Sequence, residues 1–283
     1  MDTVQEFQTL GLGNFQSNDP NDIHLLNHVK EGKNHITTAH KHDFYLFFLI
    51  EKSEGIHNID FVDYTVQDRQ LHILLPGQVH HWQLAENTSG FQLMFSEKLF
   101  QTFPNAINLS SSYPFKSPAV IDLNNQAFHL LLYEYHQLDL ELQKETRLWD
   151  IILLRWRLIC SIIGHENEQL NSAKQVLKPH PLIANYLKLI DEYYKKNKKV
   201  SFYADKLNIT ANYLNILCKK NTHNSANTLI QNRITLEAKR LLQISKLSIK
   251  EIAFDLGFED LAYFSNFFKN HTGSSPRAFR ESL

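Results

Sequence analysis

Cysteine is nearly missing from this sequence: Cys160 and Cys218 are the two in 283 residues, far apart and in helix-like surroundings. That argues against a disulfide framework and fits a reducing compartment, the cytoplasm. No apolar run approaches the roughly 20 residues of a membrane span. The opening MDTVQEFQTLGLGNF lacks the basic-then-apolar order of a signal peptide. Net charge is also almost absent, at −1, but the balance conceals a split. Residues 1–179 carry 13 Lys/Arg against 21 Asp/Glu, whereas residues 180–283 carry 16 against 9. An acidic part followed by a basic one predicts two domains with different partners, and the basic one suits a polyanion. With 43% hydrophobic and 21% charged residues the chain can bury a core and is not disordered as a whole.

The first third is strand-like. HDFYLFFLIE is a short apolar run rich in Phe and Ile, and GIHNIDFVDYTV alternates apolar with polar residues. RQLHILLPGQVHHWQL is broken by Pro76-Gly77, and SGFQLMFS alternates again. Short strands divided by turn residues predict a sandwich or barrel. Residues 125–163 then change character. NQAFHLLLYEYHQLDLELQ and RLWDIILLRWRLICSIIG are helical in pattern, with Gly164 where a helix stop belongs. Leu131, Leu132, Tyr135, Leu138 and Leu142, with Ile151, Ile152, Leu154, Ile159 and Ile163, exceed the apolar surface of one packed face. A dimer interface is one reading, and capping of the barrel is the other. Residues 165–181 are polar, end in two prolines and read as a linker. From residue 182 to 283 the pattern predicts roughly seven helices.

Within that stretch, IKEIAFDLGFEDLAYFSNFFKN is informative. Ile249, Ile252, Ala253 and Leu256 form one buried stripe at i, i+3, i+4, i+7. Ser248 and Glu251 form a capping box. Gly257 permits positive φ and a sharp turn, Phe258 pins the turn to the core, and Asp260 caps the next helix. There Phe264 and Phe268 point inward with Phe267 helping. Leu261, Ala262, Ser265, Asn266 and Lys269 are left outside. Helix, glycine turn, helix with a small polar outer face is the helix-turn-helix design, although one copy alone equally describes an ordinary helical hairpin.

A second copy tips the balance. In VSFYADKLNITANYLNILCKKNT, Ser201 starts a helix, Asn208 sits where Gly257 sits, and Thr210 caps the following helix. Tyr213, Leu214 and Leu217 are expected inside, and Asn212, Asn215, Ile216, Lys219 and Lys220 outside. The intervening NTLIQNRITLEAKRLLQIS is long enough to hold the two units about one DNA turn apart.

These residues resemble the AraC/XylS family of bacterial transcriptional regulators. The similarity rests on Ile249, Glu251, Ile252, Ala253, Gly257, Phe258, Tyr263, Phe264, Phe267, Phe268, Lys269, Gly273, Ser275, Pro276 and Arg280. Arg233, Ala238, Leu241 and Leu242 on the connecting helix extend it, so that it covers about the last hundred residues. The first unit departs from the pattern, with no glycine or proline near His223 and Ala226. Residues 35–95, LLPGQVHHW above all, are similar to the cupin-like sensor domains of the same family.

The resemblance implies an α+β chain of two domains. Residues 1–164 would form a cupin-like β-barrel with helices, for effector sensing and dimerisation. Residues 182–283 would form an all-α DNA-binding domain with two helix-turn-helix motifs, joined through the 165–181 linker. It also implies double-stranded promoter DNA, a small-molecule effector, a second copy in a homodimer and RNA polymerase as partners, with no membrane. Lys219, Lys220, Arg233, Lys239, Arg240, Lys269, Arg277 and Arg280 form the pool for phosphate contacts, with part of the pool structural and Arg233 the candidate to lock the connecting helix to its neighbours. Asn212, Asn215 and Asn266 suit adenine edges, and Ala262 and Ile216 suit thymine methyls.

For an effector, His42, Tyr45, Phe47, His72, His80, Trp82, Gln92 and Met94 are the candidate barrel lining, with plain core packing the alternative at each. His40, His42, His80 and His81 suggest a cupin metal set. The carboxylate that would complete it is missing, since Leu46 and Phe47 stand there, so no metal is assigned. Cys218 has no activating partner and reads as packing. No cofactor and no catalytic residue are expected. The competing readings are a metal-dependent cupin enzyme with a DNA-binding tail, and a constitutive DNA-binding protein whose barrel serves only dimerisation.

Overall fold

The computed structural model describes residues 9–12, 23–103, 118–173 and 180–283. The chain divides into two compact units, one built on residues 8–109 and 117–176 and the other on residues 177–283.

The first unit holds β1 (Thr9–Leu10), β2 (Ile23–Asn27), α1 (His28–Glu31), β3 (His35–His42), β4 (Tyr45–Lys52), β5 (Gly55–Ile59) and β6 (Val62–Val66). It continues with β7 (Gln70–Leu74), β8 (Val79–Leu84), β9 (Ser89–Phe95), α2 (Glu97–Gln101), β10 (Val120–Asp122), α3 (Asn125–Leu142) and α4 (Trp149–Ala173). The strands form two five-stranded sheets, ordered β1-β3-β8-β5-β6 and β10-β7-β4-β9-β2. Pairing is antiparallel except for β1 on β3. The expected barrel is therefore an open pair of sheets rather than a closed cylinder.

Strand β4 fixes the layering, because both of its faces are buried. Leu46, Phe48 and Ile50 join Ile59, Trp82, Leu84 and Met94 in the core between the sheets. Tyr45, Phe47 and Leu49 join Leu131, Tyr135, Ile152, Trp156 and Ile159 in the core beneath α3 and α4. The β5–β6 hairpin turns on Asp60 and Phe61, with φ of 50° and 68°, values of a two-residue turn matched to strand twist. Asp60 then braces the turn by accepting from the Gln78 side chain (2.8 Å) and the Val79 amide (3.2 Å).

Helix α4 does not stop at Gly164. It runs through that residue to Ala173, into the stretch read as linker. Gly164 is buried, between the buried Ile163 and the buried Asn167 along the helix. A mid-helix glycine costs roughly 1 kcal/mol, which burial of the flanking face offsets. Leu131, Tyr135, Leu138, Ile152, Ile159 and Ile163, read as interface material, are core residues. The exposed apolar side chains of the two helices are Leu130, Tyr133, Leu140, Leu154 and Leu158.

The second unit has the seven helices expected: α5 (Pro181–Tyr193), α6 (Val200–Lys206), α7 (Ala211–Thr222), α8 (Ala226–Ile244), α9 (Ile249–Asp255), α10 (Leu261–Thr272) and α11 (Pro276–Glu281). Its core gathers Ile183, Tyr186, Tyr203, Leu214, Ile234, Ile252, Phe264 and Phe268. Helices α7 and α10 both pack on α8, which at 1.5 Å per residue is about 28 Å long. Among the described residues no helix is long and apolar enough to cross a membrane.

Candidate nucleic-acid interface

The two helix pairs α6–α7 and α9–α10 are built by the same local chemistry. Each first helix has seven residues and ends against a residue at positive φ, Asn208 at 53° and Gly257 at 72°. Each second helix has twelve residues and a side-chain cap: Thr210 Oγ1 accepts from the Tyr213 amide, and Asp260 Oδ2 from the Tyr263 amide. Each second helix ends in a left-handed residue, His223 at φ 57° and Gly273 at φ 82°. Thr222 and Thr272 then repeat one hydrogen-bond pattern, donating to the carbonyls of Cys218 and Phe268 and accepting from the amides of Asn224 and Ser274. The glycine and proline missing from the first unit are thus replaced without loss of the turn. His223 takes the left-handed position, and Ala226 takes the first helical position that Pro276 takes in the second unit.

Gly257 has a reason beyond its φ. A Cβ there would lie 2.0 Å from the Lys195 carbonyl oxygen. Lys198 Nζ donates to the carbonyls of Leu256 (2.8 Å) and Gly257 (2.7 Å) and sits 4.7 Å from the Phe258 ring centroid. A cation thus satisfies the carbonyls left over at the end of α9.

On α10, Leu261, Ala262, Asn266 and Lys269 are exposed and Ser265 is half-buried, while Phe264 and Phe268 are fully buried. On α7, Asn212, Ile216, Lys219 and Lys220 are exposed. Four other expected contact residues have structural duties. Asn215 Oδ1 accepts the Ala226 amide at 3.1 Å and so caps α8. Arg233 bridges Asp191 (2.8 Å) and Glu237 (3.0 Å) and lies 4.2 Å from the Tyr194 ring centroid. Arg240 is buried beside Glu237, and Arg280 donates to the Leu242 carbonyl at 3.3 Å. These side chains point into the α8 packing rather than away from it. Of the remaining pool, Lys239 lies 5.6 Å from the Phe279 ring centroid, and exposed Arg277 pairs with Glu281 at 2.9 Å.

Tyr213 corrects another expectation. It is 46% exposed, and its counterpart Tyr263 is 63% exposed. Both occupy the third position of a second helix, the position whose amide the cap accepts. Aligning the two units on their caps would have revealed this exposed tyrosine pair.

In the first unit, His42, His72, His80, Trp82, Gln92 and Met94 are all buried. Trp82 and Met94 belong to the core between the sheets. Tyr45 and Phe47 are instead on the opposite face of β4. Tyr45 stacks on Phe95 and Phe100 and donates to Glu97 at 2.7 Å, and Phe47 packs edge-on against Phe95. A run apolar on both faces hides its parity, so choosing odd over even positions had no support in the sequence. His57, not singled out in the sequence, links His72 (2.9 Å) and His80 (3.0 Å), and His80 in turn meets His42 at 2.8 Å. Burial holds the His42 and His72 imidazoles down to about 3, and His57 and His80 well below the ordinary value. Loss of hydration disfavours the imidazolium form, so the rings are neutral at physiological pH.

A helix-turn-helix domain family matches residues 203–282. The Msm operon regulatory protein of Streptococcus mutans is 36% identical over 96 residues, 34% of each chain, so this chain spans about a third of that relative. The HTH-type transcriptional activator RhaS of Escherichia coli is 20% identical over 250 residues, 86% of this chain and 87% of RhaS. Among solved structures, ToxT from Vibrio cholerae covers 93% of this chain and 99% of its own at 12% identity, with a TM-score of 0.46. Two matched helix pairs on one connecting helix, a helix-turn-helix domain match over nearly all of both and a RhaS alignment along most of the chain support an AraC/XylS-family DNA-binding transcriptional regulator.

Proposed function

We propose that α7 and α10 enter successive major-groove segments of a promoter, and that the N-terminal unit controls their engagement. The observation that carries this reading is the exposed outer face repeated on both second helices: a small or polar residue, a tyrosine, and lysine toward the C-terminus. Asn212, Ile216, Leu261, Ala262, Ser265 and Asn266 are the base-reading set. Lys219, Lys220, Lys269 and Arg277 make phosphate contacts that set register and confer salt dependence. Tyr213 and Tyr263 add an apolar ring and a hydroxyl at the same edge. Asn215, Arg233 and Arg280 support the scaffold instead.

The chain acts as a regulator, not an enzyme, in the cytoplasm. A small ligand bound between the sheets of the N-terminal unit shifts the balance between DNA-competent and incompetent arrangements, which requires it to prefer one of them. The exposed apolar residues of α3 and α4 meet a second copy, and the DNA-bound dimer meets RNA polymerase.

Selection of bound duplexes from a randomised pool tests the reading. The expected product is a bipartite site whose two conserved segments lie about 10–10.5 base pairs apart, one per second helix. Enrichment of a single short segment, or of none, would refute it.

A further inference from the structure

His40, His42 and His80 each offer a ring nitrogen, and these three atoms lie within 4.8 Å of one another, all on buried residues. Their ring centroids form a compact triangle with sides of 4.3, 4.8 and 4.9 Å. What distinguishes this triangle from a chance grouping is the placement of its protons.

The hydrogen-bond chain behind it has one consistent protonation when its rings are neutral. Gln70 Nε2 donates to Asp122 Oδ1 (2.8 Å), and Gln70 Oε1 accepts the Gln67 amide (2.8 Å), which fixes the orientation of the amide group. His72 Nε2 faces that same oxygen at 3.1 Å and must carry a proton. A neutral His72 then has a lone pair on Nδ1, so His57 donates to it from Nδ1. His57 Nε2 is left an acceptor, and His80 donates to it from Nδ1. His80 Nε2 therefore presents a lone pair to the triangle. His40 arrives at the same state independently, because its Nδ1 faces the Thr38 carbonyl at 3.2 Å and must donate. Its Nε2 is consequently a second lone pair. His42 fills the hydrogen bond to His80 Nε2 from its own Nε2 at 2.8 Å, which leaves a buried Nδ1 with no hydrogen-bond partner.

We infer that His40, His42 and His80 form a binding site for a divalent first-row transition-metal ion in the N-terminal unit. Neutral imidazoles with the second ring nitrogen donating outward are the state in which histidine ligates such ions, and here His57 and the Thr38 carbonyl are the outer partners. The set lacks a carboxylate, but three histidines suffice for zinc-type ions. They leave at least one coordination position for water or an anionic donor. His42 joins by moving its proton from Nε2 to the unpartnered Nδ1. For metal–nitrogen distances of about 2.0–2.1 Å, the 2.8 Å gap between His42 and His80 widens by about half an ångström. The inference goes beyond the DNA-binding function and does not depend on it, because the site is complete without DNA.

The test uses the untagged, chelator-treated full chain without DNA, titrated with Co²⁺ and followed by visible absorption and by competition with a chromophoric chelator. The expected result is about one equivalent bound with the d–d bands of a four- or five-coordinate nitrogen site. His40→Ala and His80→Ala should each weaken binding by about 100-fold or more, and His57→Ala by about 10- to 100-fold. His35→Ala, at an exposed end of β3, should leave affinity unchanged. Failure of the wild-type chain to bind Co²⁺ or Zn²⁺ in near-equivalent amount overturns the inference whatever the variants do. Equal affinities in His80→Ala and wild type, both folded by circular dichroism, overturn it as well.

Discussion

At the scale of the residue, the proposed interface assigns different work to two kinds of exposed side chain on α10. Asn266 presents a donor and an acceptor together, the pattern that matches an adenine edge. Asn266→Ala should lose preference at one base position, costing about 1–3 kcal/mol there and little on other sequences. Lys269 carries a point charge and no pattern. Lys269→Ala should weaken all sequences alike and lower the salt slope by about one. Binding titrations against a set of single-base operator variants at several salt concentrations separate the two, and a uniform loss in Asn266→Ala would remove it from the readers. Arg233 belongs to neither kind. Its guanidinium is largely buried between Asp191 and Glu237, so Arg233→Ala would remove the short contact to each and leave Arg240, at 3.5 Å, beside Glu237. Leaving a buried charge uncompensated costs about 3–5 kcal/mol, and the retained Arg240 and the partly exposed Asp191 bring the loss here down to about 2–3 kcal/mol. Urea denaturation should show a loss of that order, and an unchanged midpoint would restore Arg233 to the DNA-facing pool.

At the scale of the element, left-handed residues end four of the helices that form the two motifs, and they are not equivalent. At Gly273 a Cβ would meet nothing within 4 Å, whereas at Gly257 it would meet the Lys195 carbonyl at 2.0 Å. Gly273→Ala should therefore cost only the backbone strain, about 1 kcal/mol. Gly257→Ala should cost clearly more, since the α9–α10 turn must shift away from Lys195. Thermal melts of the two variants give the ordering, and equal losses would mean that the turn yields easily. This element-level grammar was legible in the sequence: caps at Ser248, Asp260 and Thr210 and turns at Asn208 and Gly257 all use short-range chemistry. What was illegible depended on distant neighbours. Gly164 read as a stop because its burial inside α4 comes from packing. Tyr45 and Phe47 read as lining because β4 is apolar on both faces. Asn215 read as a DNA contact because its partner Ala226 is 11 residues away in sequence, and the Arg233 lock, an alternative the sequence offered, is completed by Asp191, 42 residues away. His57 went unnoticed because its role appears only when β5 pairs with β8.

At the scale of the whole molecule, the charge split follows the two units. The C-terminal 104 residues carry 16 basic and 9 acidic side chains and enclose a separate hydrophobic core, as a self-sufficient DNA-binding domain requires. A fragment of residues 180–283 should accordingly unfold cooperatively and still bind the operator. Its electrostatic contacts are all its own, so the slope of log K against log salt, taken per bound copy, should equal that of the full chain. On the proposed pairing through the N-terminal unit, its affinity should be lower by the effective-concentration gain, about 10²–10⁴-fold. Anisotropy titrations of both proteins on one operator, with stoichiometry measured, distinguish the two contributions. A fragment with a much smaller slope would place phosphate-contacting cations outside residues 180–283. A fragment with full affinity would show that pairing through α3 and α4 adds nothing on DNA.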